Sequence, residues 1–231
     1  MSLLDGDLAV FDLETTGVDV RTARIVTACV ALLDASGALV SRRDWLADPG
    51  VEIPEGAAAI HGVTTERARA EGRPAPEVVA EIVAELRAQL AAGRPLVVYN
   101  APYDLSLLAH EAARHGVAPL VDPAPVIDPL VIDKAVDRYR KGKRTLEVAA
   151  AHYGVALDGA HDAGVDAIAA GHVARAIAST HAAALPGTLA ELHAAQVRWH
   201  DQQADNFENY MRTQRDHTFT ADRGWPVRHG G

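Results

Sequence analysis

The segment Leu8–Leu13, within LAVFDLETTG, restricts the fold more than any other stretch of the chain. It is short and apolar and runs into Thr15, Thr16 and Gly17, so it reads as a strand feeding a turn. Side chains on a strand alternate faces, which puts Phe11 and Leu13 on one side and Asp12 and Glu14 on the other. Two neighbouring carboxylates repel, and both stay ionised only with positive charge between them. Hard divalent cations such as Mg²⁺ meet that need with oxygen ligands. Taken alone, the pair is also compatible with a plain polar strand end.

The pattern beyond this strand sets the fold class. Arg24–Leu33 is rich in Ile, Val and Thr, Asp34-Ala35-Ser36-Gly37 is a hairpin turn, and Ala38–Trp45 is the returning strand. Ala57–Ile60 forms a short helix before His61-Gly62. From Pro76 onward, Val78, Ile82, Leu86 and Leu90 recur every four residues, which predicts an amphipathic helix ending at Gly93. Leu96–Tyr99 and Val126–Asp128 are short buried strands, with a helix from Leu105 to His115 between them. Thr145 caps a helix that stops before Gly154. The helix after His161 presents Val165, Ile168, Val173 and Ile177 on one face. Three strands followed by strands alternating with helices predict an α/β fold. Its mixed five-stranded sheet is antiparallel on one side, has parallel crossovers on the other, and is flanked by helices. Pro186-Gly187 marks a boundary. Beyond it, Thr188–Arg215 reads as one C-terminal helix, and Asp216–Gly231 as an extended or mobile end.

Composition narrows the function classes. With 231 residues, 48% hydrophobic and 23% charged, the chain supports one good core and a small appendage. No apolar run is long enough to span a bilayer. The acidic start MSLLDGD lacks the basic region of a secretory signal, and Cys29 is the only cysteine. A reducing cytoplasm is therefore the expected location, with no intrachain disulfide and no thiolate metal site. A net charge of −9 excludes a generic nucleic-acid coat protein but leaves room for nucleic acid in one local cleft.

Two more acidic positions stand out. Asp104, in YNAPYDLSLL, follows a strand and opens a helix. Asp166, in HDAGVDA, lies one turn into a helix, with His161 five residues upstream. Strand ends and helix starts on one edge of a sheet are where α/β proteins build sites.

FDLETTG, YNAPYD and HDAGVD, in this order, resemble the three motifs of the DEDDh 3′-to-5′ exonucleases. That superfamily includes the proofreading epsilon subunit of bacterial DNA polymerase III and has an RNase H-like fold. AIHGVT and TLEVAAAHYGV also match, and the resemblance covers residues 5 to about 180; a catalytic domain is expected over 5–183, with 188–231 as a C-terminal helical extension and tail. It implies that Asp12, Glu14, Asp104 and Asp166 bind two ions, Mg²⁺ or Mn²⁺, and that His161 orients or deprotonates the attacking water. It also implies substrate contacts at Leu13, Thr15, Thr16, His61, Ala101 and Tyr103. A loop role for His61, a turn role for the two threonines and core packing for Tyr103 are the competing structural readings. Asp162 reads as a first-turn acid favoured by the helix dipole.

The run Arg138–Arg144 is the only dense basic stretch. Arg140, Lys143 and Arg144 are expected either to contact substrate phosphates or to lie in a solvated loop. Gln203-Ala204-Asp205-Asn206-Phe207 is faintly similar to sliding-clamp-binding peptides but lacks their aliphatic residue. A polymerase or sliding-clamp partner would engage this extension; otherwise it is a helix laid on the catalytic domain through Trp199, Phe207 and Tyr210. The leading expectation is an exonuclease acting on DNA with single-stranded 3′ ends. An exoribonuclease, a haloacid-dehalogenase-type phosphatase and a non-catalytic nuclease-fold scaffold are the rivals. The phosphatase reading needs Asp where Glu14 stands and leaves HDAGVD unexplained.

Overall fold

A computed structural model describes residues 3–228; the last three residues of the C-terminal extension lie outside them. The chain begins with an antiparallel meander: β1 (Leu8–Thr15), β2 (Ile25–Leu33) and β3 (Leu39–Asp48). The turn between β2 and β3 is built by Asp34, whose Oδ1 accepts from Ser36 N–H (2.8 Å) and Ala38 N–H (3.0 Å). Gly37 completes it at φ 91°, where a side chain would be strained. Short helices α1 (Glu55–His61) and α2 (Thr65–Glu71) and the two-residue β4 (Arg73–Pro74) follow. Then come α3 (Ala75–Ala91), β5 (Leu96–Val97), α4 (Ala101–Arg114), β6 (Val126–Ile127) and α5 (Pro129–Val136). The chain continues through α6 (Leu146–Tyr153), α7 (Ala163–Thr180) and α8 (Leu189–Gln214).

The sheet order is β4-β3-β2-β1-β5-β6, with β5 and β6 parallel to β1. Six strands replace the expected five. The extra one, β4, carries no strand pattern; it pairs with Ala47 and Asp48 because Gly72 lets the chain pass close by. A Cβ at Gly72 would lie 2.3 Å from the Ala68 carbonyl oxygen.

The alternation along β1 divides the core. Ala9, Phe11 and Leu13 pack on the face covered by α3 and α4. Leu8 and Val10 pack on the other face, against the alanine-rich side of α7. A Cβ at Gly171 would come within 2.7 Å of Val10 and 2.6 Å of Leu33, so glycine there allows α7 to lie close on the sheet. Phe11 is fully buried, and truncating it to Ala would cost about 3–5 kcal/mol.

The C-terminal helix is bonded into the sheet. At the outer edge of β6, Val126 N–H donates to His193 Nδ1 (3.0 Å) and Asp128 N–H to Gln196 Oε1 (2.6 Å). Gln196 Nε2 donates to the Val126 carbonyl (2.9 Å), so α8 side chains replace a missing strand. The segment after α8, expected to be extended or mobile, has no helix or strand over its described residues but is anchored by apolar side chains. Trp225 is 5% exposed and Ala221 6% exposed, and Trp225 joins the main core. Apolar anchors among polar neighbours are what the composition of this tail concealed.

Gln203–Phe207 lies in the middle of α8. Gln203 Nε2 donates to the Val131 carbonyl (2.9 Å), and Phe207 packs edge-on against Phe219 with ring centres 5.3 Å apart. These contacts place the segment in a packed helix, unlike an extended docking peptide. No helix among the described residues is long and apolar enough to cross a membrane.

Candidate active site

β1 delivers Asp12 and Glu14 on its α7-facing side, as its period of two requires. At the end of β1 the pairing with β2 shifts register between Glu14 and Thr15, leaving Val26 as an extra residue opposite them. The Ile25 N–H at this bulge is satisfied by Glu111 Oε2 (3.2 Å), a fully buried carboxylate on α4 paired with Arg114 and Arg24.

α4 brings in Asp104, buried at 3% exposure, whose Oδ1 accepts the Leu13 N–H at 3.2 Å. α7 brings in Asp166 from its first turn. Burial, Asp104, Asp166 and Glu14 together raise the Asp12 carboxyl well above the ordinary carboxylate range. Burial is also the main cause of the raised Asp104 and Asp166 values. Glu14 is pushed from 4.5 to about 7, first by burial and then by Asp166 and Asp162. Four acids from three elements therefore disfavour one another's charge, and no cation within the described side chains neutralises them together.

His161 stands at the entrance to α7 with φ 70°, a strained value for a residue with a side chain. Its N–H donates to Asp166 Oδ2 (3.1 Å), and its Nε2 lies 3.4 Å from Glu147 Oε1 on α6. Glu147 is itself oriented by the Thr145 hydroxyl, which donates to its Oε2 (3.2 Å). Asp162 caps α7 by accepting from Gly164 and Val165 N–H, and it pairs with Arg42. It therefore acts through hydrogen bonds at the N-cap as well as through the dipole it was expected to complement.

The donor set fits a divalent cation. Ligand atoms of Glu14, His161 and Asp166 all lie within 4.8 Å of one another. Asp166 Oδ1 is buried with no hydrogen-bond partner. A buried, unpartnered carboxylate oxygen among mutually repelling acids is what a hard cation would satisfy.

The expected substrate contacts separate into two groups. The His61 ring is half-buried, and its Nε2 has no partner. Burial lowers its pKa, while Nδ1 accepts the Val63 N–H (3.2 Å). The other hydroxyls hold the loop after β1. Tyr103 Oη donates to the Gly17 carbonyl (2.6 Å) and lies 2.5 Å from Thr15 Oγ. Thr16 Oγ accepts the Arg24 N–H (2.9 Å). Leu13 is 5% exposed and packs in the core. Ala101 is fully buried, and its N–H is taken by Asp128 Oδ2 (2.9 Å).

The basic run is divided in the same way. Arg140 and Arg144 both turn inward onto the fully buried Asp133, with Arg144 Nη1 2.7 Å from its Oδ2. Arg144 also donates to the Asp137 carbonyl (2.6 Å), while Lys143 remains exposed. The two arginines thus pin the loop between α5 and α6.

Sequence patterning missed two acids. Glu147 shows only as a first-turn acid on a helix, and its meeting with His161 is a tertiary event. Asp128 ends a short strand, and its carboxylate gathers N–H groups from Asn100 (3.0 Å), Ala101 and Leu130 (3.0 Å), and Trp225 Nε1 (3.3 Å). It fixes the start of α4, which carries Tyr103 and Asp104.

The sheet thus carries acids from β1, α4 and α7 gathered at one place. The chain belongs to the exonuclease family (RNase T), which matches residues 9–174. It is 27% identical to a PolC-type DNA polymerase III of Lacticaseibacillus paracasei over 176 residues, or 76% of this chain. A PolC-type polymerase of Halalkalibacterium halodurans is 28% identical over 171 residues. The matched part spans 11% of the length of each of these relatives. Among solved structures, the zinc-bound Escherichia coli exonuclease I–single-stranded DNA complex has a TM-score of 0.66 at 19% identity. That match covers 77% of this chain and 41% of the other. A moderately thermophilic exonuclease I from Methylocaldum szegediense has a TM-score of 0.60 at 22% identity, covering 75% of this chain and 40% of that one. These likenesses establish the RNase H-like α/β fold.

Proposed function

We propose that the protein is a 3′-to-5′ exonuclease of the DEDDh type that releases nucleoside monophosphates from single-stranded 3′ ends of DNA. The observation that carries this reading is the convergence of Asp12, Glu14, Asp104 and Asp166 beside His161. Asp12, Glu14, Asp104 and Asp166 would hold two divalent ions, Mg²⁺ or Mn²⁺. Such ions, when bound, lower the pKa of water and offset charge on the scissile phosphate and leaving 3′-oxygen.

The remaining work falls to side chains. His161 takes the proton of the attacking water as the general base. Glu147 faces Nε2 and restrains the ring, while the Asp166 bond to the His161 N–H fixes the backbone beneath it. His61 lines the same pocket as His161, where it would meet the terminal nucleotide. Tyr103 and Thr15 support the wall that the last base meets. DNA is favoured over RNA because the polymerase relatives and the exonuclease I–single-stranded DNA complex are DNA proteins by name. A proofreading role beside a polymerase is the biological setting we infer from the same relatives.

The deciding experiment uses matched DNA and RNA oligomers labelled at either end, with Mg²⁺ or Mn²⁺. The expected result is prompt loss of a 3′ label and stepwise shortening of 5′-labelled DNA. Release from the 5′ end, or no hydrolysis with either ion, would overturn the proposal. Faster cleavage of RNA would replace DNA with RNA as the substrate.

A further inference from the structure

A groove outside the carboxylate cluster opens between α5, α8 and the segment Phe219–Arg228. Its half nearest α4 encloses about 420 Å³ and includes Asn100, Lys134, His200 and Arg228. Its outer half encloses about 520 Å³ and includes Arg138, Trp199, Gln202 and Asn206. Lys134, Gln203 and Phe207 line both halves, so the two cavities adjoin along these side chains. The near end abuts the helix that carries the site: Asn100 immediately precedes α4, and Arg228 N–H donates to Ser106 Oγ (2.9 Å), two residues beyond Asp104.

The chemistry of this lining is specific. In a chain of net charge −9, the groove collects Lys134, Arg138 and Arg228. Among the described residues neither Lys134 nor Arg138 forms a close ion pair; Lys134 feels Asp128 and Asp133 only at longer range, and the Tyr139 ring lies 6.0 Å from Arg138. Arg228 pairs with Asp222 (3.0 Å), the one acid of the lining. His200 Nδ1 is buried without a hydrogen-bond partner. Phe207 stays 51% exposed although it stands in a groove beside Trp199 and amide side chains. Cations without a close carboxylate suit phosphates, and the exposed Phe207 face suits an unpaired base; only a single strand presents both together.

We propose that this groove holds the single-stranded nucleic acid upstream of the 3′ end being cleaved. The inference rests on the exonuclease reading and extends it to a surface that α8 and the segment after it complete from beyond the matched residues 9–174. Phosphates run along Lys134 and Arg138, and bases lie on Phe207 and Trp199. Substrates too short to reach past Asn100 use the carboxylate site without the groove.

The test is fluorescence anisotropy of labelled single-stranded DNA in EDTA, read beside hydrolysis with Mn²⁺. Lys134→Glu with Arg138→Glu, and separately Phe207→Ala, should each weaken binding of an oligomer of about 12 nucleotides roughly tenfold. The double charge reversal should also flatten the salt dependence, by about 0.7 in log–log slope per lost phosphate contact. KM for a substrate of about three nucleotides should not change, and Lys134→Arg should restore long-strand binding. Unchanged 12-mer affinity and salt slope in folded variants would overturn the groove, as would equal losses on short and long strands. Weakened binding in the variants of a protein that hydrolyses nothing would support the groove and reject the exonuclease reading instead. Arg138→Ala, on an exposed side chain, supplies the same readout if the charge reversals do not fold.

Discussion

Glu14→Gln should stabilise the metal-free protein while disabling it. Glu14 has its carboxyl raised from 4.5 to about 7 by burial and by Asp166 and Asp162. At about 1.4 kcal/mol per pKa unit this amounts to roughly 3 kcal/mol. Water reaches this half-buried side chain, so screening reduces the figure to about 1–2 kcal/mol. The sign follows from proton linkage. Between 4.5 and about 7 the folded protein keeps a proton that the unfolded chain has released. The Glu14 contribution therefore falls as pH rises through that window, and the penalty is complete above it. Glutamine removes the charge and keeps the shape. In EDTA at about pH 8, Glu14→Gln should melt roughly 2–8 °C above the wild type, and the gap should shrink towards about pH 5. Mg²⁺ or Mn²⁺ should then raise the wild-type melting temperature more than that of the variant. Calorimetry of both proteins across pH, with and without ion, measures each part. A variant less stable than wild type at about pH 8, or a gap independent of pH, would refute the picture of acids held in mutual repulsion.

Other outcomes follow from the same geometry. Asp12→Ala and Asp166→Ala should each reduce hydrolysis of a labelled oligomer to background, and EDTA should do the same to wild type; activity surviving chelation would remove the metal. Glu147→Gln should lower kcat about tenfold with little change in KM, and much less in a His161→Ala background, since the two act as a unit. The affinity for Mn²⁺, read by titration of the protein, should fall as pH drops below about 7 and Glu14 takes up a proton; an affinity independent of pH would contradict its role. Gln196→Ala removes bonds to Asp128 N–H and the Val126 carbonyl and should cost about 2–4 kcal/mol in a denaturant melt.

How much of this was legible in the sequence depended on the range of the interaction. Asp12 and Glu14 were legible because the period of a strand places them on one face. Asp104 and Asp166 needed the order of three motifs, since nothing local distinguishes them from other helix-start acids. The basic run misled because charges adjacent in sequence look solvent-facing, whereas Arg140 and Arg144 answer Asp133 on the preceding helix. β4, Glu147 and Asp128 were invisible for a related reason: each acquires its role only when distant backbone arrives beside it. The polar surface of α8 suggested an appendage, yet Gln196 is fully buried, a polar side chain serving as a strand surrogate.

That surrogate sets a limit on how the enzyme can be trimmed. A version ending where the family match ends would bare the amide ladder of β6 and invite other chains to add to it. The same cut would take Trp225 away from Asp128, whose carboxylate holds the start of α4. Solubility and catalytic competence should therefore fail together in a minimal domain, even with every acid intact.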